Sequence, residues 1–343
     1  MMRRLIVFLL PVCFLLACES NETKGSRFFL KGNEELTKMN YGEAIRFYTE
    51  AIDKYPELEE AYNNRGVAYY KSGDYFNAIQ DYTKVIVELN PENFDVRANR
   101  VDAYLALGRN DDALKDLEWA KTYHADSAAI DFKMGLAYFG KKAYMESVNS
   151  FNRAYEKDPT DVEALVNAAN GLYFNDQFEE ANKKLDAAQA LDPSESNIYN
   201  TRCMMAIADR QYKEALTHIT EALAIQPSNG IYLNNRGFLK LMIGDLEAGG
   251  KDIDRAIVAD PQNAWAYRNK GIYYYKKARY TDAVRNFTQA AKTEEDMDFL
   301  YYYWGATLLE LGNKAEACEK LKLSIDRSEP EGKALFTQNC GAN

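Results

Sequence analysis

The apolar and small positions of this chain repeat every 34 residues. One small residue recurs at Ala44, Ala78, Ala113, Ser147, Ala181, Ala215, Gly249, Ala283 and Ala317. A unit of that length is one helical hairpin, which can bury its apolar face only against the next copy, so the register predicts an all-α stack. One step is 35 residues, from Ala78 to Ala113, with an extra residue inside Val85-Ile86-Val87-Glu88-Leu89-Asn90-Pro91 at the end of a helix. Counting each repeat from 19 residues before its marker, position 8 is small in most copies, as at Gly32, Gly66, Gly135, Cys203, Gly237, Gly271 and Gly305. Two helices can approach closely there. Position 24 is large and apolar, as at Tyr48, Tyr82, Phe151 and Phe287, and position 27 is small again. Proline at position 32, seen in Pro56, Pro159, Pro193, Pro227 and Pro261, stops the second helix.

The run Tyr62-x-x-Arg65-Gly66-x-x-Tyr69, with Ala78-x-x-x-Tyr82 and the trailing proline, resembles the tetratricopeptide repeat. About nine copies cover residues 25–331, and a short capping helix is expected over residues 332–343. The resemblance implies a right-handed α-solenoid whose first helices line a concave groove. Repeat 3 carries Val101 at the small position and Ala125 in place of proline, and is expected to pack less regularly. In repeat 7, Gly249 and Gly250 sit inside the second helix, each costing about 1 kcal/mol relative to alanine. Close packing accounts for Gly249, while Gly250 stays open between packing and a flexible joint.

The N-terminal residues do not follow the repeat. Arg3 and Arg4 precede an apolar run, Leu5 to Leu16, that is too short to span a bilayer, so residues 1–17 read as a secretory signal. Leu15-Leu16-Ala17-Cys18 resembles the bacterial lipobox, which implies that Cys18 becomes an acylated first residue and anchors the protein to a membrane. Residues 18–24 then form a lipidated tether, in which six extended residues reach roughly 20 Å. The expected location is the bacterial cell envelope, and Glu19 favours the outer membrane.

Five cysteines can be apportioned. Cys13 leaves with the signal, Cys18 carries lipid, and Cys203 fills a small buried position as a free thiol. Cys318 and Cys340 fall at opposite ends of antiparallel neighbours, where they either bridge or stay as two thiols. The tail from Gly332 to Asn343 resembles the opening of a small c-type cytochrome, but the second cysteine and the axial histidine are missing, so no haem is expected.

The formal charge of −10 becomes −12 once Arg3 and Arg4 leave with the signal, which disfavours nucleic acid as a partner. His124 and His218 lie about three repeats apart, and neither paired metal ligands, a phosphate loop nor a nucleophile elbow is present. The reading is a non-enzyme without metal or cofactor. Asp111-Asp112 and Glu179-Glu180 sit at helix starts, where they suit the helix dipole.

Function then falls to the first helices. Position 6 holds Asn64, Asn99, Asn167, Asn235 and Asn269, although asparagine is a poor helix former. Amides donate and accept, which suits the main chain of an extended peptide. The spacing resembles the asparagine ladder of the tetratricopeptide domain in O-GlcNAc transferase, with breaks at Lys133 and Thr201. The alternative is that these amides satisfy neighbouring side chains. A carboxylate clamp is not supported, because Phe29 and Asp95 stand where its charges belong. Towards the C-terminus the groove positions turn apolar, with Phe238, Leu241, Trp265, Ile272, Tyr275, Phe299, Tyr302 and Tyr303. Of these, Trp265, Phe299 and Tyr302 are the best candidates for contact with a ligand. Two functions are compatible: a scaffold that binds extended polypeptide of a cell-envelope partner, or a glycan-binding lipoprotein that uses the aromatic groove.

Overall fold

The computed structural model describes residues 20–293 and 297–341, so the signal segment and Cys18 lie outside the described residues. The fold is an all-α solenoid of helical hairpins. It divides into two compact units, residues 1–150 and 151–343, with the boundary inside the helix Tyr144–Lys157. The first unit holds the hairpins Asn21–Thr37 with Tyr41–Lys54, Glu59–Lys71 with Tyr75–Lys84, and Phe94–Ala106 with Asn110–Tyr123, followed by Ala128–Gly140. The second holds Val162–Phe174 with Phe178–Leu191, Ser196–Ala208 with Tyr212–Ile225, Gly230–Met242 with Leu246–Ala259, Ala264–Lys276 with Tyr280–Ala291, and Leu300–Glu310 with Lys314–Asp326. The helix Pro330–Cys340 closes this unit.

Two expected boundaries move. The first helix opens at Asn21, capped by Ser20, whose hydroxyl accepts from the Thr23 amide at 3.1 Å; Asn21 to Lys24 are therefore helical rather than extended tether. The cap starts at Pro330, two residues before the domain edge expected at 332 but where the segment ending at Cys340 is read to begin, because proline suits the first helical turn, where its missing N–H is no loss.

Every hairpin turns on the same backbone device. Position 15 takes a left-handed conformation in all nine repeats, at Met39, Gly73, Gly108, Lys142, Asp176, Arg210, Gly244, Ala278 and Gly312. The next residue's amide reaches back five residues, as in Asp74 to the Tyr69 carbonyl at 2.9 Å and Gln211 to Ala206 at 2.8 Å. This Schellman closure satisfies the last carbonyls of the first helix, and it is imposed even where no glycine is present to adopt it freely.

The inserted residue in repeat 2 is absorbed as a π-helical turn, Val85–Leu89, closed by the Asn90 amide on the Val85 carbonyl at 2.7 Å. Val85 and Ile86 stay in the core, and Val87 is pushed out to 67% exposure. Repeat 3 packs regularly after all: Val101 and Leu117 are both buried in the core, because a smaller residue at position 24 makes room for the larger one at position 8.

Elsewhere the small positions seat aromatic rings. A Cβ at Gly66 would stand 2.5 Å from the buried Tyr82 ring, and one at Gly32 equally close to Tyr48. We expect Gly66→Ala to cost about 2 kcal/mol, since overpacking of up to about 3 kcal/mol outweighs a helix-propensity gain of about 1 kcal/mol. Amide exchange in Glu59–Lys71 measures the loss, and unchanged protection would refute it. In repeat 7 both glycines are packing sites. Gly249 faces the Gly237 carbonyl and Gly250 the Tyr273 ring, at 2.9 and 2.8 Å from an added Cβ.

Ion pairs lock several hairpins from within. Position 7 reaches position 23 through two hydrogen bonds each in Arg65 with Asp81 (2.8 and 2.7 Å), Arg100 with Asp116 (both 2.8 Å) and Arg236 with Asp252 (2.7 and 2.8 Å). Arg97 adds a third bond to Asp116 at 2.9 Å. At the C-terminus, Cys318 and Cys340 form a disulfide with Cα atoms 5.7 Å apart, so Cys340 holds the cap in place. Glu329 accepts from the Phe299 amide and the Ser324 hydroxyl, and Glu331 pairs with Arg210 at 2.6 Å.

Candidate functional site

The asparagines of position 6 are engaged with each other. In the first unit, Asn64 donates to Asn33 at 2.9 Å and Asn99 to Asn63 at 3.0 Å. In the second unit, Asn235 donates to Asn200 at 3.0 Å and Asn269 to Asn234 at 2.8 Å. Each bond runs from one first helix back to the preceding one, forming a rung between repeats. The two supposed breaks in the ladder are rungs of different chemistry: Lys133 bonds Asp102 at 2.5 Å and Thr201 bonds Asn170 at 2.8 Å. Asn167 instead stands one helical turn after Glu163, where its amide favours that carboxylate's charged form.

This corrects part of the expected site. Asn269 is fully buried, with its amide N–H on Asn234 and its oxygen accepting twice from Arg268 at 3.0 and 2.7 Å, so it cannot meet a peptide. Asn64, Asn99, Asn167 and Asn235 are half-buried and keep part of their hydrogen-bonding capacity, since an amide offers two donors and two lone pairs. Several apolar groove candidates are core. Leu241 and Ile272 are fully buried and Phe238 nearly so, and Leu241 packs against Gly249 of its own hairpin.

A cavity of about 650 Å³ in the second unit gathers three of the remaining candidates, Asn235, Trp265 and Phe299. The first helices of repeats 5 to 8 contribute Phe174, Asn200, Asn235 and Trp265, and the connection before repeat 9 contributes Phe299. Phe299 is held at φ 63°, a conformation costly for a bulky residue, and its ring lies 6.0 Å from Phe238 and 6.5 Å from Tyr303. Trp265 is 41% exposed at the cavity wall. Tyr302 does not line the cavity and packs edge-on against Tyr303, 4.8 Å between centroids.

Arg268 is the group that sequence reading missed. It lines the cavity yet is only 5% exposed, between the Trp265 and Phe238 rings at 4.7 and 5.1 Å. Its third bond goes to the Asp298 carbonyl at 2.8 Å. Burial lowers its pKa to about 10, against the opposing charges of Asp298 and Glu329, so the guanidinium remains charged at neutral pH. Its signal was available: Arg268 stands at position 5, where repeats 2, 6 and 7 have Asn63, Asn200 and Asn234. The two histidines fall in different units. His124 meets the Phe94 ring edge-on at 4.5 Å, and His218 lies 3.8 Å from Glu214. Cys203 is fully buried, and burial pushes its thiol up to about 12, which keeps it unreactive.

Tetratricopeptide repeat family models match residues 59–93 and 99–162. A curated relative, the small glutamine-rich tetratricopeptide repeat-containing protein 2 of Mycosarcoma maydis, is 32% identical over 87 residues, 25% of this chain; the chain spans about a quarter of that relative's length, 24%. Among solved structures, the APC/C hetero-tetramer Cut9-Hcn1 superposes with a TM-score of 0.63 at 14% identity, covering 94% of this chain and 77% of the other. A tetratricopeptide repeat protein from Parabacteroides merdae gives a TM-score of 0.59 at 16% identity, covering 73% and 98%. These matches show tetratricopeptide repeats at residues 59–93 and 99–162, and the solved structures show the same all-α solenoid fold.

Proposed function

We propose that this protein is a non-enzymatic scaffold that binds a polypeptide partner along its first helices, and that it does so while anchored to the cell envelope through a lipidated Cys18. The observation that carries the binding reading is the uncovered apolar surface of the second unit. Ile231, Phe174 and Trp265, 58%, 43% and 41% exposed, border one cavity beside the half-buried Asn235 amide. Apolar anchors next to main-chain-compatible amides suit an extended segment of another chain. The signal-like run and lipobox-like Leu15-Leu16-Ala17-Cys18 support the anchor, and Glu19 favours the outer membrane.

A photo-crosslinking residue at Ile231 tests the binding reading in the native host, with the same residue at Val258, a second-helix position 82% exposed, as control. Polypeptide adducts are expected from position 231 and not from 258. Adducts absent from 231, or equal at both, would overturn it. In the same cells, Cys18→Ala should move the protein out of the membrane fraction; retention there would remove the anchor.

A further inference from the structure

We propose that the cavity of the second unit is a receptor for a small organic acid, a carboxylate joined to a compact aromatic or branched apolar body, with Arg268 as the residue that holds the carboxylate. This goes beyond polypeptide binding, and it rests on the charge of the cavity floor together with the character of its walls.

A guanidinium carries five N–H donors. Those of Arg268 make three bonds, two to the Asn269 side chain and one to the Asp298 carbonyl, which leaves two N–H, one on each terminal nitrogen. No ion pair forms with any carboxylate among the described residues, although Arg268 is 5% exposed. By contrast, Arg65, Arg100 and Arg236 are each clasped by a buried aspartate. The charges of Asp298 and Glu329 act on it only from a distance, with no direct hydrogen bond from either carboxylate; burying a cation without a bonded counter-ion costs several kcal/mol, and the rings of Trp265 and Phe238 return only part of that. A carboxylate supplies what is missing, because it accepts charge-assisted bonds from two guanidinium nitrogens at once.

The walls set the rest of the ligand. Trp265, Phe299, Phe174, Ile231 and Met204 present flat or apolar surface, and the amides of Asn200 and Asn235 offer orienting contacts. A cavity near 650 Å³ falls in the range of small-molecule sites and encloses fewer atoms than a long extended peptide requires. Of the acidic residues at the rim, Asp260 accepts from the Gln262 amide at 2.9 Å, and Asp298 meets Arg268 through its backbone carbonyl while its carboxylate adds a negative charge nearby. A neutral or doubly charged ligand gains less here than a single carboxylate placed at the floor.

The test titrates the full chain with 3-phenylpropionate, indole-3-acetate and 4-methylpentanoate, and with the amide of each, by calorimetry and ligand-observed NMR. At least one acid is expected to bind saturably, with its amide about 10- to 100-fold weaker for want of the charge-assisted bonds. Arg268→Gln is expected to bring the acid down to the affinity of the amide. As Arg268 is buried, Trp265→Ala serves as a second variant, in which acid and amide weaken alike. Absence of saturable binding by all three acids, or equal binding of acid and amide, overturns the proposal. So does undiminished acid binding in a folded Arg268→Gln protein. A blocked octapeptide that binds where the acids do not also overturns it while leaving the polypeptide scaffold intact. Acid binding without crosslinks from position 231 has the opposite meaning.

Discussion

Asp116→Ala is expected to lower the opening free energy of amides in Phe94–Ala106 and Asn110–Tyr123 by about 3–5 kcal/mol, the cost of breaking a buried ion pair from one side. The Asp116 carboxylate is buried and accepts two bonds from Arg100 and one from Arg97. Without it, Arg100 keeps only the Thr83 hydroxyl at 3.1 Å as a hydrogen-bond partner, and it is only 9% exposed. The loss belongs to the stranded cation more than to the missing attraction. Replacing both partners, Arg100→Met with Asp116→Leu, should therefore restore most of the protection. Native-state hydrogen exchange resolves the effect by helix, which suits a stack whose repeats open in neighbouring groups. A loss below about 1 kcal/mol would show that the pair is solvent-screened and behaves as a surface contact.

Removing the disulfide, with Cys318→Ser and Cys340→Ser together, is expected to cost the C-terminal end roughly 3 kcal/mol, the loop-closure entropy of a 22-residue separation. The helix Pro330–Cys340 has 11 residues, too few to persist in water by propensity alone. It should fray, and protection should fall in Lys314–Asp326, which it covers, while Val162–Phe174 keeps its protection. Loosening the cap also removes Glu331 from Arg210. In protein purified without reductant, denaturation should expose no reactive thiol from this pair. A cap that remains as protected in the double variant would assign its stability to Glu329 and the apolar contacts instead.

The fold was legible because a repeat advertises itself: Gly66 with Tyr82 and Gly32 with Tyr48 are one contact written twice, 34 residues apart. The left-handed turn at position 15 was not legible, since Met39, Lys142, Asp176, Arg210 and Ala278 share no chemistry there. Their conformation follows from where two packed helices must be joined. Of the two readings of the asparagines, bonding to neighbouring side chains is the one the structure bears out; what a single column at position 6 does not reveal is that the bonds run diagonally to position 5 or 9 of the preceding repeat. Arg268 escaped because it breaks a column of amides at position 5 rather than matching a motif. In the described residues nothing bears on Cys18, whose reading still rests on Leu15-Leu16-Ala17-Cys18 alone.

The rungs between first helices make the junctions that carry them selective for their own neighbours. Asn64, Lys133 and Thr201 look for a partner 31 residues back, whereas Asn235 and Asn269 look 35 residues back. Lys133 needs the Asp102 carboxylate, and Thr201 needs an amide oxygen from Asn170. Placing repeat 7 before repeat 4, for example, would leave Lys133 opposite Asn234 and Phe238 in place of the Asp102 carboxylate. The order of the hairpins is thus encoded in side chains, and a lineage that lengthened this protein by duplicating a segment would have to copy a matched pair of faces along with it.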